Sequence, residues 1–394
     1  MSAGSEAEMP PLDDDYRPFY RKLTPFDWGW AAALMVGAFI TYFYFSSLMD
    51  IYELSILFGT AVGLIVLGWY WKPFRLFMIV VTALTLAGIA LYDGDLARGQ
   101  TNFFLNYLLA SQSAILWMCT LYVLATLAYW AGLIARSPFA AQVGTATTWA
   151  GSVMGTVGLG VRWRESYLLG PEIGYIPISN LYEVFIQFAV ITALLYLYYE
   201  QRYRSRAMGG FVLTVITAAV IFLLWYTFGR QGHEIQPLVP ALQSWWMKVH
   251  VPTNFVAYGA WSIAAMLAVA WLVRDRIERK ADGAPVELRL PSLEVLDDIM
   301  YKAIALGFLF FTIATVLGAM WAAEAWGGYW SWDPKETWSL ITWLCYAAWL
   351  HVRLTKGLRG PILAWWAIAG FFITLFTFVG VNMFLSGLHS YGTL

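Results

Sequence analysis

Long apolar stretches, separated by short polar segments, dominate this chain. Segments such as GFVLTVITAAVIFLLWYTF carry no polar–apolar alternation, which favours helices over the strands of a membrane barrel. A helix of about 20 apolar residues crosses a bilayer core and satisfies its own backbone there. We therefore predict eleven membrane-spanning helices, which cover residues 28–48, 54–71, 74–92, 113–135, 144–161, 180–199, 210–228, 252–274, 299–320, 336–354 and 361–384.

The basic residues at the ends of these segments predict an orientation. With the N-terminus in the cytoplasm, Lys and Arg are about three times as numerous on the cytoplasmic side as outside, the bias that membrane proteins show. Eleven spans then place the C-terminus outside. The number of spans stays open by one or two, because segments 54–71 and 144–161 are short.

Composition agrees with this topology. Hydrophobic residues make up 60% of the 394 positions and charged residues 12%, about half the charge of an ordinary soluble domain. We therefore predict an all-α, polytopic membrane bundle surrounded by lipid. The net charge of -1 provides no basic field, so we expect no nucleic-acid partner. Cys119 and Cys345 both lie in apolar runs and cannot form a disulfide framework.

The loops divide the chain into three parts. Residues 1–27 form an acidic tail without the basic start of a signal peptide. Residues 28–112 form an additional block of three helices, because the chemically informative loops all lie later, in a main membrane domain over 113–394. The longest cytoplasmic connection, 275–298, is predicted to contain a short amphipathic helix on the membrane surface, SLEVLDDIMYK.

The loop over residues 321–343 is unusually rich in tryptophan. Tryptophans commonly gather at membrane interfaces, and this is one explanation of the cluster. An interfacial belt, however, needs neither paired glycines (Gly327 and Gly328) nor the insertion that starts at Asp333. We predict a rigid aromatic shelf that holds a flat apolar ligand, with Asp333 as a structural residue. The aromatic candidates for ligand contact are Trp321, Trp326, Trp330, Trp332 and Trp338.

Three histidines are candidate ligands for such a molecule. His250 and His389 lie at the ends of spans on the same predicted side as the shelf, and neutral imidazole is an axial ligand of haem iron. His351 lies about 22 Å into its span, toward the cytoplasmic leaflet. Each of the three could instead be an interfacial histidine. Possible partners for haem propionates on the outer side are Arg162, Arg164, Arg230 and Lys248.

These residues carry a resemblance to a known family. WGGYWSWDPKETWSLITW is similar to the WWD signature of the haem-handling proteins of cytochrome c biogenesis, and within them to the CcsA/ResC subunit of System II. Supporting stretches are PISNLYE, LQSWWMKVHV, LCYAAWLHVR and VNMFLSGLHSYG, so that the resemblance covers about residues 113–394. A cytoplasmic or thylakoid-type membrane is the expected location.

The resemblance implies roles for individual residues. Two external histidines that ligate haem b match His250 and His389, and a membrane-embedded histidine of an inner haem position matches His351. A separate CcsB/ResB-type subunit would supply the other inner ligand. The expected client is an apocytochrome c with a CxxCH motif. Whether this chain alone is an enzyme stays open, because the holocytochrome c synthase would be the complex.

Two other classes of function also fit parts of the sequence. A haem-containing quinol oxidoreductase would use histidines within spans, but such bundles place ligand pairs inside facing helices, whereas here the candidates lie mostly at span ends. A solute transporter with an aromatic gate would show inverted repeats or broken helices in matched halves, and the sequence shows none.

Overall fold

The structure, a computed structural model, describes residues 19–281 and 288–389. Within this part of the chain all regular secondary structure is helical, which confirms the predicted all-α membrane bundle. The helices are α1 (Pro25–Phe45), α2 (Ile51–Tyr70), α3 (Pro73–Tyr92), α4 (Arg98–Thr101), α5 (Ser111–Ile134), α6 (Pro138–Leu169), α7 (Leu181–Arg202), α8 (Gly209–Arg230), α9 (Trp245–Lys280), α10 (Leu293–Trp326), α11 (Pro334–Lys356), α12 (Pro361–Leu375) and α13 (Val381–Phe384).

Each of the eleven predicted spans coincides with a long helix. Among the described residues, nine helical segments are both long and apolar enough to cross a membrane, with α12 to α13 forming one of them over Pro361–Phe384. The two remaining predicted spans correspond to α6, with 32 residues, and α11, with 23 residues. Both contain more polar positions, although their lengths suffice for a crossing. The protein is thus a multi-pass membrane protein, and the count of eleven stays a prediction.

The described residues divide into two compact units, one ending at Leu84 and one starting at Thr85. In the first unit, Asp27 and Arg75 form a buried ion pair between α1 and α3. The indole of Trp69 donates to the Asp27 carbonyl at 2.9 Å, and that of Trp30 donates to the Leu64 carbonyl at 3.2 Å. These polar contacts join α1 to α2 and α3. The outward faces of the three helices, by contrast, are almost wholly apolar.

The second unit is organised around α9. This helix packs against α7, α8, α10 and α12, while α5 packs against α6 and α8. At its centre Trp261 stacks on Tyr346 of α11, with ring centroids 3.8 Å apart and planes at 12°. A Cβ on Gly307 would lie 2.4 Å from the Trp261 indole nitrogen, so α10 can approach α9 this closely only with glycine there.

Two predicted loops are shorter in the structure. Helix α10 continues to Trp326 and ends with Gly327 in the left-handed region, at φ 78°, and α11 begins after the capping residue Asp333. The loop predicted over 321–343 is therefore only 327–333. Trp321 and Trp326 belong to the last turns of α10, and Trp338 belongs to α11.

The connection predicted over 275–298 is helical at both of its ends. Helix α9 extends to Lys280, and α10 starts at Leu293 with Ser292 as its cap. The stretch SLEVLDDIMYK is thus the start of α10 rather than a separate surface helix, because Asp297 pairs with Arg353 and is buried. Most of the predicted N-terminal tail, residues 282–287 and residues 390–394 lie outside the described residues.

Candidate haem site

His250 lies in the second turn of α9, where two contacts fix its ring. Its Nδ1 lies 2.8 Å from the carbonyl oxygen of Ala314 on α10. A Cβ on Gly318 would lie 2.8 Å from the imidazole Cε1, so glycine leaves the space that the ring occupies. The start of α9 is tied to the end of α10 by the Trp246 indole, which donates to Glu324 at 2.8 Å. These contacts hold His250 against α10.

His389 follows α13, outside the helices, and is held by the carboxylate of Asp333. The imidazole Nδ1 lies 2.9 Å from Asp333 Oδ2, and the backbone N–H of Leu388 donates to Asp333 Oδ1 at 2.6 Å. Burial lowers the pKa of His389, and this effect outweighs the opposing hydrogen bond with Asp333. The ring is therefore neutral at pH 7, as a metal ligand requires.

Trp321 brings the two histidines together. Its ring centroid lies 6.0 Å from that of His250 and 5.8 Å from that of His389. The indole N–H donates to the Ala241 carbonyl at 3.0 Å, and this bond fixes the position of the Trp321 ring. Trp326 adds an edge-on contact with His389 at 4.7 Å. The two imidazoles thus flank one buried tryptophan, although their positions in the chain are 139 residues apart.

A cavity of about 590 Å³ opens beside these rings, and both His250 and His389 line it. This volume lies in the range of small-molecule and cofactor sites. The cavity lies where α7, α9 and α11 begin and α8 and α10 end, so all its elements meet at one end of the bundle. Its aromatic lining includes Phe255, Tyr258, Phe311, Trp321, Tyr329, Trp330 and Phe378.

Two basic side chains, Arg230 and Lys335, also reach the cavity. Arg230, at the end of α8, is exposed and lines the rim. Lys335 lies deeper, and its ammonium donates to the Phe378 carbonyl and to Asn382 Oδ1, both at 3.0 Å. Phe378 belongs to a π-helical turn, Phe376–Gly380, between α12 and α13. The site thus combines two imidazoles, aromatic walls and two basic side chains.

The remaining tryptophans of the motif are not all at the cavity. Trp330 lines it, whereas Trp332 is 67% exposed and contacts Trp330 edge-on at 5.8 Å. Trp332 has φ 61°, a strained backbone conformation for a residue with a large side chain. Trp338 packs on Phe376 at 4.3 Å and is not among the lining residues. Of the five tryptophans in the predicted shelf, Trp321 and Trp330 line the cavity, while Trp326 contacts the His389 ring without lining it.

His351 lies far from this cavity. It sits near the end of α11, roughly 25 Å along the helix from the cavity, and its side chain is exposed. Five of the exposed positions on α11 recur at alternating intervals of three and four residues, so that they form one stripe along the helix. The stripe consists of Ile341, Leu344, Ala348, His351 and Thr355. His351 therefore belongs to a separate surface that faces outward from the chain.

The candidate rim cations have different environments. Arg162 forms a buried ion pair with Glu183, with 2.8 Å between Nε and Oε1, and it donates to the His233 carbonyl. Its charge is thus largely compensated. Arg164 is exposed, and Arg230 is the one of the four candidates that lines the cavity.

Two residues of the cavity were missed in the sequence. Lys335 stands inside the tryptophan motif, but its burial depends on the π-helical turn of a distant segment. Asn254 lies one helical turn after His250, and its amide nitrogen is 3.0 Å from His250 Nε2. The spacing of four residues across the start of the predicted span 252–274 was the available signal for Asn254.

Comparison with known proteins identifies the family of this chain. The family model described as cytochrome C assembly protein matches residues 178–389, which include the helices that line the cavity. The chain therefore belongs to the cytochrome c assembly proteins.

Curated relatives narrow this to the CcsA type. The cytochrome c biogenesis protein CcsA of Guillardia theta is 36% identical over 290 residues, with 69% of this chain and 93% of the relative covered. CcsA of Microcystis aeruginosa is 35% identical over 314 residues, which cover 68% of this chain and 93% of the relative. CcsA of Synechocystis is 33% identical over 321 residues, which cover 68% of this chain and 94% of the relative. The protein is thus a CcsA-type, multi-pass membrane protein of cytochrome c biogenesis.

A solved structure shares the fold. The cytochrome c heme lyase CcmF superposes with a TM-score of 0.53 at 17% identity, and the match covers 69% of this chain. This chain spans 46% of the length of that protein. At this identity the likeness concerns the arrangement of helices alone.

Proposed function

We propose that this chain binds haem b transiently in the cavity, with His250 and His389 as the axial ligands, and presents it for covalent attachment to apocytochrome c. The observation that carries the proposal is the position of both imidazoles in the wall of one cavity, each about 6 Å from Trp321. Bound haem supplies the vinyl groups to which the two thiols of a CxxCH motif add. The protein supplies position and shielding.

The residues of the cavity fit this task. Asp333 holds the His389 ring, and the Ala314 carbonyl holds the His250 ring, so both ligands are oriented in advance. Phe255, Phe311 and the other aromatic walls exclude water from the porphyrin faces. Arg230 provides positive charge for the propionates at the exposed rim, and Lys335 provides a hydrogen-bond donor deeper in the cavity.

The delivery pathway involves two further proteins in this proposal. The exposed stripe of α11 that contains His351 is the surface for a CcsB/ResB-type subunit, which contributes a second histidine to an inner haem position. Support comes from the exposure of His351 inside a long helix, because an imidazole facing lipid without a partner is unfavourable. The complex of the two subunits is the holocytochrome c synthase of System II.

The client is an apocytochrome c that approaches the end of the bundle where the cavity opens. Under the predicted orientation this is the outer side of the membrane. Tyr329, 69% exposed, and Trp332 project there from the short loop between α10 and α11. They supply aromatic surface next to the entrance for an unfolded peptide segment.

The test is the haem content of the purified full chain with its partner subunit, measured by absorption spectroscopy together with the yield of holocytochrome c. We expect His250→Ala and His389→Ala each to lower both quantities and the double variant to abolish them. His233→Ala is the matched control, because the described hydrogen bond of His233 involves only its backbone carbonyl. Normal haem content and normal yield in the double variant would contradict the proposal.

A further inference from the structure

The two imidazoles of the cavity are held in different ways. His389 Nδ1 is bonded to a carboxylate, Asp333, whereas His250 Nδ1 is bonded to a backbone carbonyl, Ala314. A carboxylate partner increases the basicity of an imidazole ligand more than a neutral carbonyl does. His389 is therefore the stronger donor of the two toward a metal.

The second ring nitrogens differ as well. A carbonyl oxygen only accepts hydrogen bonds, so His250 carries its proton on Nδ1 and has its lone pair on Nε2. Asn254 Nδ2 lies 3.0 Å from this Nε2 and donates to it. The opposite amide orientation would place the Asn254 oxygen against the lone pair. Among the described residues, none hydrogen-bonds the Nε2 of His389, which leaves that lone pair available.

The position of Asn254 allows its amide to break and to re-form the hydrogen bond with His250 Nε2. It lies on α9 one turn after His250, lines the same cavity, and makes no other hydrogen bond within the described part of the chain. The ring of His250 itself cannot move toward α10, because Gly318 and Ala314 contact its far side. A rotation of the Asn254 side chain alone therefore uncovers or covers the lone pair.

We propose that Asn254 makes His250 the exchangeable axial ligand of the site, while His389 is the retained one. This rests on the proposed function, since it assigns roles to the two histidines of that site. When a histidine of the client takes an axial position, the bond from His250 Nε2 is the one that breaks, and its lone pair then accepts from the Asn254 amide. The exchange needs no net proton or electron transfer.

The replacement of Asn254 tests this assignment. Asn254→Leu keeps a similar side-chain volume and removes the donor, and Asn254→Ala serves as a second variant. Thr253→Val is the matched control, because Thr253 Oγ1 bonds only to the Val249 carbonyl of its own helix. The full chain is purified in detergent and loaded with ferric haem, and haem transfer to excess apomyoglobin is followed with cyanide binding at the iron.

We expect both Asn254 variants to lose haem more slowly and to bind cyanide more slowly than wild type. The change should be about fivefold, the size expected for loss of one competing hydrogen bond. Thr253→Val should match wild type. Unchanged rates in both Asn254 variants, with the spectrum of a bis-histidine haem retained, would overturn the proposal while leaving the haem site intact. A wild-type chain whose haem lacks both histidine ligands would contradict the proposed function itself.

Discussion

Asp333 and His389, 56 residues apart in sequence, are joined by a hydrogen bond of 2.9 Å between carboxylate and imidazole. The same carboxylate caps α11 and accepts the backbone N–H of Leu388. The aspartate of the tryptophan motif thus connects the start of α11 to His389, the proposed ligand that follows α13. The sequence predicted a structural role for Asp333, and the structure adds its hydrogen bond to the His389 ring.

Asp333→Asn should weaken haem binding without unfolding the protein. The carboxamide can still cap α11, but it loses the charge that orients His389 and increases its basicity. We expect a 10- to 100-fold lower haem affinity, as for other partners of metal-bound histidines. Haem titration of the full chain measures it. Asp298→Asn, in the pair with Lys302 at the opposite end of α10, is the control and should bind like wild type.

Haem binding should depend on pH through His389. Burial lowers the pKa of this imidazole below its ordinary 6.5, so the neutral ligand persists below that pH. The folded state binds this proton less readily than the unfolded chain. The contribution of neutral His389 to the folding free energy is therefore fully present above pH 6.5. It is lost as the pH falls toward the pKa that His389 has in the folded protein. In haem titrations between pH 8 and pH 4, the haem affinity should fall to half its value at a pH below 6.5. A midpoint of this loss above pH 6.5 would contradict the assignment to His389.

Trp321 and Trp338 should behave differently, although both belong to one motif. Trp321→Leu removes two ring contacts with the histidines, and we expect roughly tenfold weaker haem binding. Trp338→Leu alters only the packing on Phe376, so haem affinity should stay near that of wild type. Haem titration in parallel with thermal unfolding separates the two effects. Equal loss of affinity in both variants would indicate that the motif acts as a whole.

Gly318→Ala should displace His250. The new Cβ would lie 2.8 Å from the imidazole Cε1, closer than unstrained atoms approach. Since the ring is held by Ala314 on the same helix, it must give up that bond or rotate. We predict a shift of the haem spectrum and lower occupancy. Gly328→Ala, where a Cβ meets nothing within 4 Å, should leave the spectrum unchanged.

Glu183→Gln should strongly destabilise the membrane domain. Arg162 and Glu183 are 3% and 0% exposed, and the variant leaves the guanidinium buried without a counter-charge. The loss of folding free energy should be about 3–5 kcal/mol, measured by unfolding in detergent. Adding Arg162→Met should recover part of it, because the uncompensated charge is then removed. A double variant that is no more stable than Glu183→Gln would argue against charge burial as the cause.

The sequence alone determined the class of this protein and the approximate positions of its helices. Continuous apolar segments can satisfy their backbone in lipid only as helices, and each predicted span coincides with one. It also indicated His250 and His389 as a pair, because both end spans on one predicted side and the tryptophan motif resembles a haem-handling family. The apolar segments and the tryptophan motif are local features of the chain, so hydropathy and residue spacing reveal them without knowledge of the tertiary structure.

Only the tertiary structure decided which groups share the cavity. Trp338 points to Phe376 and His351 faces outward, whereas Lys335 and Asn254 join the histidines. Such choices depend on the rotation of each helix about its axis and on the π-helical turn near Phe378, which are set by packing between segments far apart in the chain. In an almost uniformly apolar sequence, hydrophobicity marks no preferred inner face, so the rotation of a helix cannot be deduced from its pattern.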